Sequence, residues 1–203
     1  MWVVKLGGSL ANSKELPRWL EMIATAGAGK VVLVPGGGPW ADEVREAQKR
    51  EGFDDRVAHR MALRAMEQYG RVLAATRPGF IATDSIAAIR KVLKKNAVPV
   101  WMPYEIVVAD PLIPESWDVT SDSLSAWLAS RLQASFLVLV KSAEVSHERT
   151  GAEDMAAPGL LDARFQEFAA TAGCTVRILG KNQHQDLVGM LGHCVAGLAT
   201  HPG

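Results

Sequence analysis

The chain has 203 residues, 48% hydrophobic and 22% charged, the make-up of a globular domain large enough to bury a sizeable core. Its 22 basic and 22 acidic residues cancel, which argues against nucleic acid or a membrane surface as an electrostatically held partner. No apolar run approaches the ~18 residues of a membrane span, no signal peptide is recognised, and Cys174 and Cys194 lack metal-binding spacing and read as reduced core residues, so the expectation is a cytoplasmic domain.

Trp2 to Leu6 is a short apolar run that reads as a buried strand, interrupted by Lys5. A lysine there is costly unless its ammonium emerges beside something anionic. Gly7-Gly8-Ser9 follows, and such a turn brings backbone N–H groups close to a ligand. Strand, lysine and glycine pair outline a phosphate site, although a plain structural turn would look the same. The first helix is expected from Asn12 or Ser13 to Gly27 or Gly29, with Leu16, Trp19, Leu20 and Ile23 as its core stripe.

The strand Val31 to Val34 leads into Pro35-Gly36-Gly37-Gly38-Pro39. Three glycines cost backbone entropy on ordering, which a closely approaching ligand would justify. Pro39 suits the first turn of a helix, whose N-terminus favours an anion. From Asp42 to about Ala75 the pattern is helical, broken near Gly52-Phe53-Asp54. Its second piece has a broad apolar face suited to a partner subunit, and His59 within it reads as a packing or hydrogen-bonding residue.

A short strand is expected at Phe80 to Ala82, a helix from Asp84 to Lys95 with a basic C-terminal end, and a strand from Val98 to Trp101. The proline-rich stretch up to Trp117 reads as loop or short edge strand, with Glu105, Asp110 and Glu115 able to face a substrate and Tyr104 and Trp117 lining that side. Thr120-Ser121-Asp122 opens a helix with the stripe Leu124, Trp127, Leu128 and Leu132. Ser/Thr/Asp clusters cap helices generally, and an aspartate in the first turn stays ionised. The strand Phe136 to Val140 then ends in Lys141-Ser142-Ala143-Glu144-Val145, a second lysine at a strand's carboxyl end. The tail carries Gly159-Leu160-Leu161-Asp162, a helix from about Ala163 to Ala172, a strand Val176 to Leu179 followed by Gly180-Lys181-Asn182, a helix around Asp186 to Leu191, and a strand-like run Val195 to Leu198.

Alternation of buried strands with helices predicts an α/β fold, a three-layer αβα sandwich on a mainly parallel sheet, with ligands at the carboxyl ends of the strands. Two lysines, two glycine loops and a carboxylate at such ends form a set of groups for phosphoryl transfer, which needs charge neutralisation and positioning more than covalent chemistry. The sequence has no GxxxxGK[ST] loop, no strand-linked GxGxxG, and no HExxH, GxSxG or HRD signature.

The order Lys5-Leu6-Gly7-Gly8-Ser9, Pro35-Gly36-Gly37-Gly38, Thr120-Ser121-Asp122, Leu139-Val140-Lys141-Ser142 resembles the amino acid kinase superfamily, which includes acetylglutamate, aspartate, uridylate, isopentenyl phosphate and carbamate kinases. The resemblance runs nearly the whole chain and implies one domain with the carbamate kinase-like fold, its N-terminal part binding the acceptor and about 117–203 the nucleotide. It implies ATP as donor, with Mg2+, a small-molecule acceptor and a homodimer or higher oligomer. Lys5, Asp122 and Lys141 would be catalytic. Gly7, Gly8, Ser9, Lys141, Ser142, Val145 and Lys181 would bind the nucleotide, and Gly36, Gly37, Gly38, Thr120 and Ser121 the acceptor.

One departure stands out. Acetylglutamate and related kinases carry a second lysine in a Gly-Met-x-x-Lys helix start, whereas this chain has Gly159-Leu160-Leu161-Asp162-Ala163-Arg164. The resemblance therefore leaves Lys141 or Arg164 for that charge, with Lys141 preferred. The run Ala58 to Gly70 and the segment Trp117 to Asp122 resemble a small branch, the (5-aminomethyl-furan-3-yl)methyl phosphate kinases of methanofuran-type cofactor synthesis. A substrate with an amine would call for a pocket carboxylate, Asp42, Asp84 or Asp110. Uridylate kinase is the alternative acceptor reading, and a non-catalytic nucleotide-binding protein the alternative of another class.

Overall fold

The computed structural model describes residues 1–144 and 159–196. Strands β1 (Trp2–Leu6), β2 (Val31–Pro35), β3 (Phe80–Thr83), β4 (Val98–Trp101), β5 (Phe136–Lys141) and β6 (Thr175–Gly180) form one sheet in the order β3-β4-β2-β1-β5-β6. Every pairing is parallel. Parallel neighbours need long crossovers, and these contain α1 (Leu16–Ala26), α2 (Gly38–Glu51), α3 (Asp55–Thr76), α4 (Ile86–Lys94), α5 (Tyr104–Val108), α6 (Ser121–Leu132) and α7 (Phe165–Ala172), with α8 (His184–Ala196) after β6. The expected three-layer arrangement is the one that forms.

Two apolar cores lie on opposite faces of the sheet. Val3, Val32, Val34, Leu137 and Leu139 meet Ile89 of α4, Leu124 and Leu128 of α6, and Phe165 of α7. On the other face Trp2, Val4, Leu6, Val138 and Val140 meet Trp19 and Ile23 of α1 and Leu187 and Leu191 of α8. Both faces being covered, β1 and β2 are buried along their whole length, which is why they read as apolar runs without alternation. The strand order reverses at β1, and the crevice at the carboxyl ends beside such a point is where open sheets of this type bind ligands.

Three expectations change. The first helix begins at Leu16, with a 3-10 turn at Gly8–Leu10 before it and a proline in its first turn. The proline-rich stretch after Trp101 holds a short helix, α5. The run from Val195 is not a strand as far as it is described: α8 continues through Ala196, and the rest lies outside the described residues. A short apolar run cannot be assigned to strand or helix by periodicity alone. Cys174 is a half-buried free thiol, while the side chain of Cys194 lies outside the described part.

Candidate active site

Side chains alternate across a strand, so Lys5 shares the face of Val3, where α6 packs. The register Lys5↔Leu139 places Lys141 on that same face, two residues further along β5. Asp122, in the first turn of α6, lies between them. Lys5 Nζ is 2.7 Å from Asp122 Oδ1 and Lys141 Nζ is 2.5 Å from Oδ2. Lys5 and Asp122 are each 4% exposed. Burial alone would raise the Asp122 pKa, but Lys5 and Lys141 together hold it below the usual carboxylate range. Burial, helped by the Lys5 charge, pushes Lys141 down to about 8 against the pull of Asp122. Two cations on one anion leave an excess positive charge at the end of the sheet, suited to neutralising a phosphoryl group.

The glycine loops touch one another. Gly7 N–H donates to the Val140 carbonyl (3.0 Å) and Gly36 N–H to the Leu6 carbonyl (2.9 Å), so those two amides continue the sheet and are committed. A Cβ on Gly8 would sit 2.5 Å from the Gly38 nitrogen, and one on Gly36 would collide with the Gly8 backbone. Gly38 has φ +59°, a conformation that favours glycine. What the glycines admit first is therefore the neighbouring loop, and only then a ligand. Gly37 caps α2 and Gly38 opens it, where the first N–H groups of a helix lack intrahelical acceptors. Ser9 Oγ donates to Ser142 Oγ at 2.8 Å, tying the end of β1 to the end of β5.

Asp162 holds the start of α6. Its Oδ2 accepts from the Thr120 N–H and hydroxyl, both at 2.8 Å, and from the Ser123 N–H at 3.0 Å, while the Ser123 hydroxyl donates to Oδ1. Thr120 and Ser121 do line the cleft described next, but the polar groups of Thr120 are turned to Asp162. Arg164 pairs with Glu167 at 2.5 Å, whereas Lys141 pairs with Asp122.

A cleft of about 240 Å³ opens beside the loops, bounded by Gly8, Ser9, Gly37 and Gly38 and walled by α2, α3 and the segment from Trp117 to Leu124. Arg45 enters it from α2, its guanidinium 4.2 Å from the centre of the Trp117 ring. The Trp117 indole donates to Gln48 Oε1 at 2.6 Å, and Arg60 grips Glu115 with two bonds of 2.6 and 3.0 Å. These contacts fix the loop against both helices. Sequence reasoning missed Arg45; His59, read there as a packing or hydrogen-bonding residue, also lines the cleft, and an arginine and a histidine on charge-rich helices carry no signal until the helices are placed.

Several expected residues lie elsewhere. Glu105 pairs with Arg64, Asp110 with Arg131 and the Trp127 indole, and Glu115 with Arg60, so none faces the cleft. Tyr104 lies under Arg64. Asp84 is exposed before α4, and Asp42 alone of the three proposed amine partners lines the cleft. Lys181 follows β6, whose Gly180 pairs with Lys141 in the sheet, and its carbonyl accepts from the Trp19 indole at 2.7 Å. Val145 lies outside the described residues.

Residues 1–77 match the model of the amino acid kinase family. Over 151 residues, 73% of this chain and 69% of the relative, the chain is 28% identical to [5-(aminomethyl)furan-3-yl]methyl phosphate kinase from Methanocaldococcus jannaschii. Its fold is similar to that of uridylate kinase from Archaeoglobus fulgidus, with a TM-score of 0.69 at 14% identity, covering 95% of this chain and 96% of that one. An isopentenyl phosphate kinase gives 0.60 at 18% identity over 93% and 96% of the two chains. The chain thus matches the amino acid kinase family model over its first 77 residues and shares its fold with these kinases over nearly its whole length.

Proposed function

We propose that the chain is an ATP-dependent kinase that transfers the γ-phosphoryl group to an oxyanion acceptor, a phosphomonoester such as (5-aminomethyl-furan-3-yl)methyl phosphate, yielding a diphosphate. The observation that carries this reading is the buried Lys5–Asp122–Lys141 cluster, which sets two ammonium groups on one face at the carboxyl ends of adjacent strands. The choice of acceptor rests on the similarity to the furan phosphate kinase.

In this reading an acceptor oxygen forms a bond to the γ-phosphorus while the bond to the β–γ bridging oxygen breaks, and ADP leaves with the electron pair. The acceptor is already anionic, so no general base is required. Lys5, on the central strand, neutralises charge on the transferred group, Lys141 neutralises the donor side, and Asp122 holds both ammonium groups in place. Gly7, Gly8, Ser9, Ser142 and Lys181 serve the nucleotide and the loop Gly36 to Gly38 the acceptor, with about 117–203 as the nucleotide half. Mg2+ on the nucleotide would add charge neutralisation to that of Lys5 and Lys141; among the described residues no three His, Cys, Asp or Glu cluster as a cage, and Asp122 is engaged by the lysines.

The exposed apolar side chains Trp40, Val57, Met61 and Val72 on α2 and α3 support a homodimer or higher oligomer through this face. Among the described residues no helix is long and apolar enough to cross a membrane, and we place the enzyme in the cytoplasm. ADP release measured with aminomethylfuran phosphate, UMP, isopentenyl phosphate, acetylglutamate, aspartate and carbamate tests the assignment. Release with the furan phosphate is expected; release with UMP alone would make it a uridylate kinase, and tight ATP binding with no acceptor-dependent ADP would make it a non-catalytic binder.

A further inference from the structure

His59 is 3% exposed and lines the cleft from α3. Its Nδ1 lies 3.0 Å from the Ser116 carbonyl oxygen. A carbonyl only accepts, so Nδ1 carries the proton and Nε2 keeps a lone pair. Burial pushes the imidazole pKa below its ordinary value despite the nearby Glu115 carboxylate, which keeps the ring neutral. Among the described residues Nε2 has no hydrogen-bond partner. The cleft that His59 lines also holds apolar Ala62, Leu63 and Met66, while the Trp117 indole N–H is spent on Gln48 and the Thr120 donors on Asp162. Native proteins leave few buried acceptors without a donor, and such a group calls for an explanation.

We propose that His59 Nε2 is a specificity-determining acceptor that receives a hydrogen bond from the non-reacting end of the acceptor substrate, which therefore carries an amine or hydroxyl. This rests on the reading of the cleft as the acceptor site. The phosphate end belongs with the glycine loops and Lys5, and the donor end with His59; the Asp42 carboxylate lines the same cleft, paired with Arg45 at 3.3 Å. A site built around a buried polar atom rejects analogues lacking the matching group more strongly than an apolar pocket rejects a change of size.

The test compares (5-aminomethyl-furan-3-yl)methyl phosphate with the analogue carrying methyl in place of aminomethyl, on the full chain. The His59 Nε2 resonance in nitrogen-15 spectra should move toward the protonated range with the amine and stay put with the methyl analogue. In His59→Leu the KM for the amine should rise roughly tenfold, the loss of about one hydrogen bond, with kcat nearly unchanged and the methyl analogue unaffected. His59→Gln, which keeps an acceptor, should retain part of the preference and serves if the leucine variant fails to fold. A static resonance with the amine, or equal KM changes for both compounds in His59→Leu, overturns the proposal. If neither furan phosphate yields ADP but UMP does, the substrate assignment fails instead, and the same resonance recorded with UMP decides: movement upholds the role of His59 and a static signal overturns it.

Discussion

Lys141 donates to Asp122 at 2.5 Å, from the last residue of β5 to the first turn of α6. Despite that partner, burial and the neighbouring Lys5 hold its pKa near 8. If its charge serves the nucleotide phosphates, kcat/KM for ATP should fall as pH rises through about 8, because the cation is lost above its pKa. Stability responds with the opposite sign. The penalty for keeping Lys141 charged is complete below pH about 8 and gone above 10.5, the ordinary lysine value, since between them the unfolded chain binds more protons. Lys141→Arg, charged throughout, should remove the alkaline limb. A limb that persists unchanged in that variant would assign it to another group.

Lys5 and Asp122 should separate catalysis from folding. Removing Lys5 leaves one cation on one anion and relieves the repulsion that depresses Lys141. Lys5→Met should therefore cut turnover by roughly 10² or more while costing less stability than removing the shared anion. Asp122→Asn strands two buried cations, for which about 3–5 kcal/mol is the scale of a broken buried pair. Urea unfolding of the two variants checks the order. Equal destabilisation, or normal turnover in Lys5→Met, would refute this account of the cluster.

The cluster was legible because two local signals coincided: lysines at the ends of apolar strands, and an aspartate opening a helix. Strand alternation then put them on one face once β1 and β5 were neighbours, and the motif order supplied that pairing. Asp162 was not legible as a cap, because its partners are 39 and 42 residues away and the residues around it give no sign of them. The same holds for Arg45 and Trp117, which meet only after α2 and the loop before α6 are packed. The glycines were recognised as places of close approach, but periodicity and turn chemistry do not say what approaches. At Gly8 and Gly36 it is the other loop.

That contact gives the third expectation. Gly36→Ala pushes a methyl group into the Gly8 backbone, where no flexible side chain can yield. About 1–3 kcal/mol of stability should be lost, the scale of overpacking, and kcat/KM should fall with it because both loops shift. Gly52→Ala, at a left-handed helix cap with open space around its Cβ, bears only the backbone strain and serves as a control for stability without catalytic change. Thermal unfolding beside kcat/KM separates the two. A fully active Gly36→Ala would mean that the loop contact is not needed for the site.

Asp162 joins support of α6 to the electrostatics of the cluster. It accepts two N–H groups and two hydroxyls at the helix start, so Asp162→Asn should cost about 0.5–2 kcal/mol, the scale of a lost helix cap. A purely structural role would end there. The Asp162 charge also favours the protonated form of Lys141, and removing it should lower the Lys141 pKa further. The alkaline limb of kcat/KM for ATP should then move to lower pH in Asp162→Asn. In Asp162→Asn combined with Lys141→Arg the limb should be absent, while the loss of stability remains. A limb at its original pH in a variant that has lost the expected stability would reduce Asp162 to a cap, with no part in setting the charge beside Asp122.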